Sequence, residues 1–210
     1  MIKIEKAEVM NFLNAIRGAR NPMNSWDRSD SVSGNENNKN TIPEIGENDL
    51  KLMKSLCKAG SDHRKFMRQI FVSMDITAPL YWWKEFDTYK VGTTSNSTST
   101  MHKLHSRPIT IEDFSSDHLT KEDTEVFNSY LDYIEKLRLD YVKTKDKTIW
   151  DRMIQMLPCN YEQLRTITCS YENLLNMYHA RNTHKLLEWR LYCDWIKTLP
   201  YADELIVNIK

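Results

Sequence analysis

The spacing of apolar residues changes along this chain, and no other feature constrains the possible folds as strongly. Four apolar residues at every second position predict a strand within residues 66–76: Ile70, Val72, Met74 and Ile76. Thr120-Lys121-Glu122-Asp123 resembles a capping box, and apolar residues then recur at helical spacing as far as Tyr141. A chain with both periods is predicted to contain both strands and helices.

Other segments fit this division into strands and helices. Residues 1–20 predict a short strand followed by a helix. Asn48-Asp49 offers an N-cap for a helix that Gly60 ends. An aromatic helix is expected after Ala78-Pro79. Two more helical stretches are expected near the end of the sequence: Thr148–Met156 and Tyr171–Thr198.

Two polar segments interrupt these elements. Residues 26–48 are rich in Ser, Asn, Gly and Asp, which predicts a long, flexible loop. Nine of the ten residues from Gly92 to Met101 are Gly, Thr, Ser or Asn. This second segment is either a solvated loop or an anion-binding loop, because backbone amides and short hydroxyls suit a phosphate group.

Composition excludes several functional classes. The 210 residues suit one domain, and the 29 basic and 29 acidic residues leave no overall field that would attract nucleic acid or an anionic membrane. No apolar run approaches the roughly 20 residues of a membrane-spanning helix, and the charged N-terminal segment is unlike a secretory signal. Neither the four cysteines nor the six histidines have metal-site spacing. We therefore expect a cytoplasmic protein without a metal.

Two pieces of sequence, residues 62–102 and 157–190, resemble the flavin-dependent thymidylate synthases, and the resemblance covers about two-thirds of the chain. In the first piece, His63, Ala78-Pro79 and the aromatic helix match the family pattern without gaps. In the second, Asn176 and Arg181 keep the family's spacing from Leu157-Pro158, and His184 and Glu188 follow. The resemblance implies a single α/β domain of the α+β type over residues 1–210, with a small, mostly antiparallel sheet packed by several helices.

The resemblance also implies an activity in nucleotide biosynthesis. Such a methyltransferase moves a one-carbon unit from methylene-tetrahydrofolate to dUMP, forms dTMP with a hydride from the flavoprotein's FAD, and uses NADPH as reductant. It is expected to be a homotetramer. Arg181 would be catalytic, since a fixed guanidinium polarises the uracil, and it would also bind substrate with Ser97, Thr98 and Ser99. The implied cofactor-binding residues are His63, Tyr89, Lys90, Asn176 and His184.

Several family positions carry other residues here. Thr88-Tyr89-Lys90 stands where the family has Arg-His-Arg, Thr100 replaces a loop arginine, and Glu172 replaces an arginine ahead of Asn176. Lysine cannot reproduce the bidentate phosphate contacts of arginine. These changes favour an alternative, a re-purposed family member that binds a nucleotide or flavin, or that modifies a pyrimidine nucleotide differently. Taken alone, Arg181 could also be a surface residue paired with Glu188.

Overall fold

The structure is a computed structural model that describes residues 1–34 and 42–209. Its four-stranded antiparallel sheet has the order β1-β2-β4-β3. The strands are β1 (Lys3–Met10), β2 (Phe71–Pro79), β3 (Thr94–Ser97) and β4 (Glu162–Ser170). The strands predicted in residues 1–20 and 66–76 are confirmed as β1 and β2. Strand β2 continues through Ala78-Pro79, beyond the predicted strand, and β4 has no counterpart among the predicted elements.

The helices account for most of the remaining chain. They are α1 (Phe12–Arg20), α2 (Glu47–Lys58), α3 (Leu80–Phe86), α4 (Thr100–Lys103), α5 (Lys121–Thr144), α6 (Lys147–Gln155), α7 (Tyr171–Arg181) and α8 (Leu187–Ile196). The chain adds short 3₁₀ turns and a π-helical turn at Asp203–Val207. Thr120 and Asp123 form the predicted capping box at the start of α5. The long helical stretch predicted from Tyr171 to Thr198 is divided between α7 and α8.

By contact density the chain forms two compact units, which are described separately. The first comprises Met1–Lys3, Ile76–Thr88 and Asn96–Arg165. The second comprises Ile4–Asp75, Tyr89–Ser95 and Thr166–Lys210. The single domain expected over residues 1–210 remains a prediction.

The first unit has its own apolar core, to which α5 and α6 contribute. The buried residues of this core are Leu104, Ile109, Phe114, Leu131, Ile134, Leu137 and Met153. Trp83 of α3 is fully buried and donates from its indole nitrogen to the carbonyl of Gln163 at 3.0 Å. The guanidinium of Arg165 lies 4.2 Å from the Trp83 ring and pairs with Asp87 at 2.7 Å. These contacts fix α3 against β4.

The second unit contains a buried ion pair between α1 and α2. Arg20 Nε donates to Asp49 Oδ1 at 2.6 Å, and their side chains are only 4% and 0% exposed. The other Arg20 nitrogens donate to the carbonyls of Ser25 and Arg28. Asp49 Oδ2 accepts further hydrogen bonds from the residues that follow: the hydroxyl of Ser29, the amide of Asp30, and the amide and hydroxyl of Ser31.

These bonds organise part of the polar segment predicted as a loop over residues 26–48. Trp26–Arg28 is a 3₁₀ turn, and Val32 forms an isolated bridge with Glu44. Helix α2 begins at Glu47 with Gly46 as its N-cap, so Asn48-Asp49 lies in its first turn rather than at the cap. Residues 35–41 of the predicted loop lie outside the described residues. Over the described parts, 1–34 and 42–209, no helix is long and apolar enough to cross a bilayer.

Candidate functional site

Helix α7 carries two of the predicted site residues, and its N-terminus is firmly capped. Ser170 Oγ accepts from the amide of Asn173 at 3.3 Å, while Asn173 Oδ1 accepts from the amide of Ser170 at 3.0 Å. This reciprocal pair is a capping box, which satisfies amides that the first helical turn leaves without partners. As expected from sequence, Asn176 and Arg181 lie on this one helix.

Asn173 also fixes the turn that precedes β3. Its Nδ2 donates to the carbonyl of Val91 at 2.7 Å. The next residue, Gly92, has φ +74°, and a Cβ added there would lie 3.1 Å from Asn173 Oδ1. Both the left-handed backbone and this close approach favour glycine. The start of α7 is thereby tied to the segment that carries Tyr89 and Lys90.

Arg181, at the end of α7, is held between two aromatic rings. Its guanidinium carbon lies 5.0 Å from the Trp189 ring centroid and 5.7 Å from that of Tyr89. Its Nε donates to the Tyr89 hydroxyl at 3.0 Å. Arginine packs on aromatic faces through cation–π attraction. Arg181 is therefore half-buried and oriented, unlike a freely solvated surface residue.

His184 belongs to the same aromatic cluster. Its ring centroid lies 6.4 Å from that of Trp189, and its Nδ1 accepts from the amide of Leu186 at 3.2 Å. Arg190 Nη1 donates to the carbonyls of His184 and Lys185, which closes the turn between α7 and α8. The structure thus brings three predicted site residues together: Arg181, Tyr89 and His184.

A second cluster in the same unit contains arginines that the sequence analysis does not assign. Arg64 Nε donates to Glu172 Oε1 at 3.1 Å, and Arg64 Nη2 donates to Asn176 Oδ1 at 3.4 Å. Arg68 Nε donates to Glu172 Oε2. The family resemblance marks Glu172 as a lost arginine, but its carboxylate in fact holds two arginines beside Asn176. A signal was available in sequence, because Arg64, Lys65 and Arg68 form a short basic run.

The environment of Glu172 keeps it ionised. Burial by itself would raise the pKa of this carboxyl, but hydrogen bonds and charge from Arg68 and Arg64 outweigh burial and lower the pKa below its usual value. The neighbouring His63 is exposed, and its amide donates to the carbonyl of Gly60 at 3.1 Å. Lys90 and Asn176 are exposed as well. The polar groups of His63, Lys90 and Asn176 are therefore accessible to a ligand.

The three predicted substrate-binding hydroxyls belong to the first unit. Ser97 ends β3 and is exposed. Thr98 donates from its amide and from Oγ1 to the carbonyl of Leu164, at 2.9 and 3.3 Å. Ser99 Oγ caps α4 by accepting from the amide of His102, and it lies 2.8 Å from His102 Nδ1. The Gly92–Met101 segment is thus more ordered than the predicted loop, since β3 and the start of α4 occupy part of it.

Metal chemistry has no donor set in the part of the chain that the structure describes. Among residues 1–34 and 42–209, no group of three or more His, Cys, Asp or Glu side chains is placed to hold a metal ion. Cys57, Cys169 and Cys193 are buried free thiols, and burial raises the pKa of each to about 12. At neutral pH these thiols are protonated and unreactive.

Comparison with known proteins shows the fold. No protein-family model and no curated protein sequence matches the chain. A flavin-dependent thymidylate synthase from Helicobacter pylori, solved with FAD and dUMP, matches with a TM-score of 0.69 and 14% identity over 98% of this chain and 100% of that one. A second structure of the Helicobacter pylori enzyme with these ligands gives 0.68 and 15%, over 98% and 99%.

A third solved structure has a different described activity. It is a UMP/dUMP methylase from Streptomyces cacaoi bound to 5-Br dUMP, and it matches with a TM-score of 0.66 and 13% identity over 100% of this chain and 96% of that one. The α+β fold implied by the sequence resemblance is confirmed: this chain has the fold of the flavin-dependent thymidylate synthases.

Proposed function

We propose that this protein is a flavin-dependent enzyme that methylates a pyrimidine nucleotide, with dUMP as the simplest substrate. The observation that carries the proposal is the fixed guanidinium of Arg181 between Tyr89 and Trp189. It occurs in a fold whose solved neighbours were crystallised with FAD and dUMP. Methylene-tetrahydrofolate as one-carbon donor, NADPH as reductant and a homotetrameric assembly belong to the same proposal.

Arg181 would polarise the pyrimidine. Attack on a uracil ring places negative charge on its carbonyl oxygens, and a preorganised guanidinium stabilises that charge without reorganising during the reaction. Tyr89 prepares Arg181 for this role, because its hydroxyl accepts from Nε and orients the guanidinium. Tyr89 stands where the resemblance places a histidine, and in this chain the residue at that position orients the arginine.

The remaining site residues suit a flavin. FAD would supply the hydride when bound. Its carbonyls and phosphates need donors, and exposed His63, Lys90 and Asn176 provide them in the second unit. In the first unit, Ser97, Thr98 and Ser99 would contribute to binding the nucleotide phosphate. The hydroxyls of Thr98 and Ser99 and the amide of Thr98 already have partners, so their contacts to phosphate would be modest.

A second candidate function is a family member that binds a flavin or nucleotide without forming dTMP, or that methylates a related pyrimidine nucleotide. The replacement of Arg-His-Arg by Thr88-Tyr89-Lys90 favours this alternative, because two fixed positive charges are lost. The likeness to a UMP/dUMP methylase makes UMP the second substrate to test.

The test is turnover of dUMP and UMP by the FAD-reconstituted protein and by Arg181→Ala. We expect Arg181→Ala to retain flavin absorbance after desalting and to lose about 10²–10³ in kcat, as for other preorganised charge donors. Arg152→Ala is the matched control, since Arg152 also donates to a tyrosine hydroxyl, that of Tyr133 at 2.8 Å, but is exposed. Its turnover should be unchanged.

Two results would contradict the proposal. A protein that retains no flavin after reconstitution cannot perform this chemistry. Equal turnover by a flavin-loaded Arg181→Ala variant would exclude the role given to the guanidinium. If the parent protein binds FAD and dUMP but forms no product, the non-catalytic alternative is supported instead.

A further inference from the structure

Two arginines share one carboxylate in the second unit, and this leaves the cluster with excess positive charge. Arg64 and Arg68 both donate to Glu172. Lys65 adds a further positive charge, and Asp62 a negative one, within the same short segment. These three positive and two negative side chains sum to one net positive charge at neutral pH.

The hydrogen bonds of the two guanidiniums are incomplete. Arg64 uses Nε for Glu172 and Nη2 for Asn176. Arg68 uses Nε for Glu172, and its Nη2 reaches both Glu172 at 3.4 Å and the carbonyl of Ser61 at 3.3 Å. Among residues 1–34 and 42–209, the Nη1 group of neither arginine donates a hydrogen bond to the protein. Each Nη1 carries two N–H donors.

The arginines are held in place by the backbone that carries them. A 3₁₀ helix spans Lys65–Gln69, and its Phe66 and Met67 are buried, at 3% and 0% exposure. Arg64 and Arg68 flank these two buried residues. Both arginines contact the carboxylate of Glu172, which lies in the first turn of the capped helix α7. Fixed positions reduce the entropy that would be lost when both side chains engage one ligand.

Stability alone does not account for both arginines. Arg64, with a 16% exposed side chain, is sufficient to neutralise Glu172. The Arg68 side chain is 52% exposed, and exposed ion pairs contribute little to folding. A second guanidinium with unused donors at an accessible position is the arrangement that recognises phosphate oxygens, because planar guanidiniums bind them in a bidentate manner.

We infer that Arg64 and Arg68, aligned on Glu172, form a binding site for a phosphate or pyrophosphate group. Glu172 acts as the positioning residue that holds both guanidiniums in place and lowers their net charge from two to one. The inference rests on the proposed function only where it identifies the source of the group, which is either the pyrophosphate of the flavin cofactor or the monophosphate of the nucleotide. Free inorganic pyrophosphate represents the shared chemistry.

The first experiment is calorimetric titration of the full chain with inorganic pyrophosphate. Arg68→Gln removes one guanidinium but leaves Arg64 paired with Glu172, so the variant should fold. We expect its pyrophosphate dissociation constant to rise about tenfold, as for loss of a charge-assisted hydrogen bond. Arg107→Gln is the matched control, because Arg107 is also an exposed arginine paired with a buried carboxylate, that of Asp113. Its affinity should equal that of the parent.

The second experiment distinguishes the sources. If the site takes the flavin pyrophosphate, Arg68→Gln should weaken FAD binding about tenfold and leave riboflavin, which has no phosphate, unaffected. If the site takes the nucleotide phosphate, the same split should appear between dUMP and deoxyuridine. Arg68→Lys, which keeps the charge but not the fork of donors, should fall between the parent and the glutamine variant.

The inference and the proposed function fail separately. No heat with pyrophosphate, or equal pyrophosphate affinity for the parent and Arg68→Gln, would overturn the phosphate site even if the protein binds FAD. Pyrophosphate binding that depends on Arg68 would support the site even if no flavin is retained.

Discussion

Two clusters in the second unit, one around Asp49 and one around Glu172, both pair arginine with a carboxylate but differ in charge and in how many of their donors have partners. At Asp49, one arginine meets one carboxylate, both are buried, and every nitrogen of Arg20 donates within the described structure. At Glu172, two arginines meet one carboxylate, and each keeps a nitrogen that donates to no described residue. The first cluster is neutral and complete, while the second is positive and open.

The numbers of arginines and carboxylates in a cluster decide whether it is suited to a structural or a binding role. A buried ion pair contributes to the native state only if its remaining donors and acceptors are satisfied. The Asp49 cluster meets that condition through Ser29, Ser31 and two backbone carbonyls. The Glu172 cluster does not, and its unmet donors face an accessible surface where a ligand can complete them. Surplus charge and surplus donors mark a site more reliably than an arginine count.

The largest effect is expected from a substitution that breaks the Asp49 cluster. Asp49→Ala leaves the Arg20 guanidinium buried without its counter-ion and removes four acceptor contacts from the segment at residues 29–31. We expect the free energy of unfolding to fall by about 3–5 kcal/mol, as for other broken buried pairs. Urea denaturation of the parent and the variant measures the change. A loss below about 1 kcal/mol, the range for an exposed pair, would show that the cluster does not stabilise the fold.

A smaller effect is expected from the open cluster. Glu172→Gln retains one acceptor oxygen, and the two arginines it releases can be hydrated. We expect a loss of about 1.5–3 kcal/mol in unfolding free energy, the range for hydrogen bonds to a charged group. The same denaturation series measures it. If Glu172→Gln destabilises as strongly as Asp49→Ala, the distinction between a structural and a binding cluster is wrong.

The smallest effect concerns pH and sharpens the comparison further. Burial alone would raise the pKa of Asp49, but hydrogen bonds from Ser31, Ser29 and Arg20 outweigh burial and lower it; Glu172 is lowered by Arg68 and Arg64. A folded pKa below the unfolded value contributes stability that is fully present above about pH 4 and is lost as the pH falls through the folded pKa.

Unfolding free energies measured between pH 6 and pH 3 test this dependence. Asp49→Asn and Glu172→Gln should each lose less unfolding free energy than the parent as the pH falls. The loss should be smaller for Asp49→Asn, because the carboxylate that it removes is fully buried in the parent. Identical acid profiles for all three proteins would contradict the assignment of acid sensitivity to these carboxylates.

The parts of the fold that the sequence predicts are those with a regular apolar pattern. Strand β2 and helix α5 have clear apolar periods, and both were predicted. Strand β4 was not, because the positions that face inward along it include Gln163 and Arg165, which remove half of the alternating signal. Its polar inward residues are satisfied by tertiary contacts, since Arg165 stacks on Trp83 and pairs with Asp87. No local pattern contains that information.

The sequence predicts the residues of the candidate site less completely than it predicts the fold. The resemblance placed Arg181 and Asn176 on one helix, and the structure agrees. It could not show that Tyr89 would orient Arg181, because the two residues are far apart in sequence and the contact depends on how the segment after α3 returns to α7. The sequence does not predict the Arg64–Arg68–Glu172 cluster for the same reason. Glu172 in place of an arginine indicates a loss of positive charge as long as its two arginine partners are unknown.

Asn173 has a consequence for how the site opens. One amide side chain both caps α7 and holds the Val91 carbonyl, so the two segments share an anchor. Rupture of that anchor frees the amide of Ser170, the N-cap residue of α7, and the Tyr89–Val91 segment in a single event. Arg181 and its aromatic support should therefore open and close as one cooperative unit, with a common protection factor in hydrogen exchange.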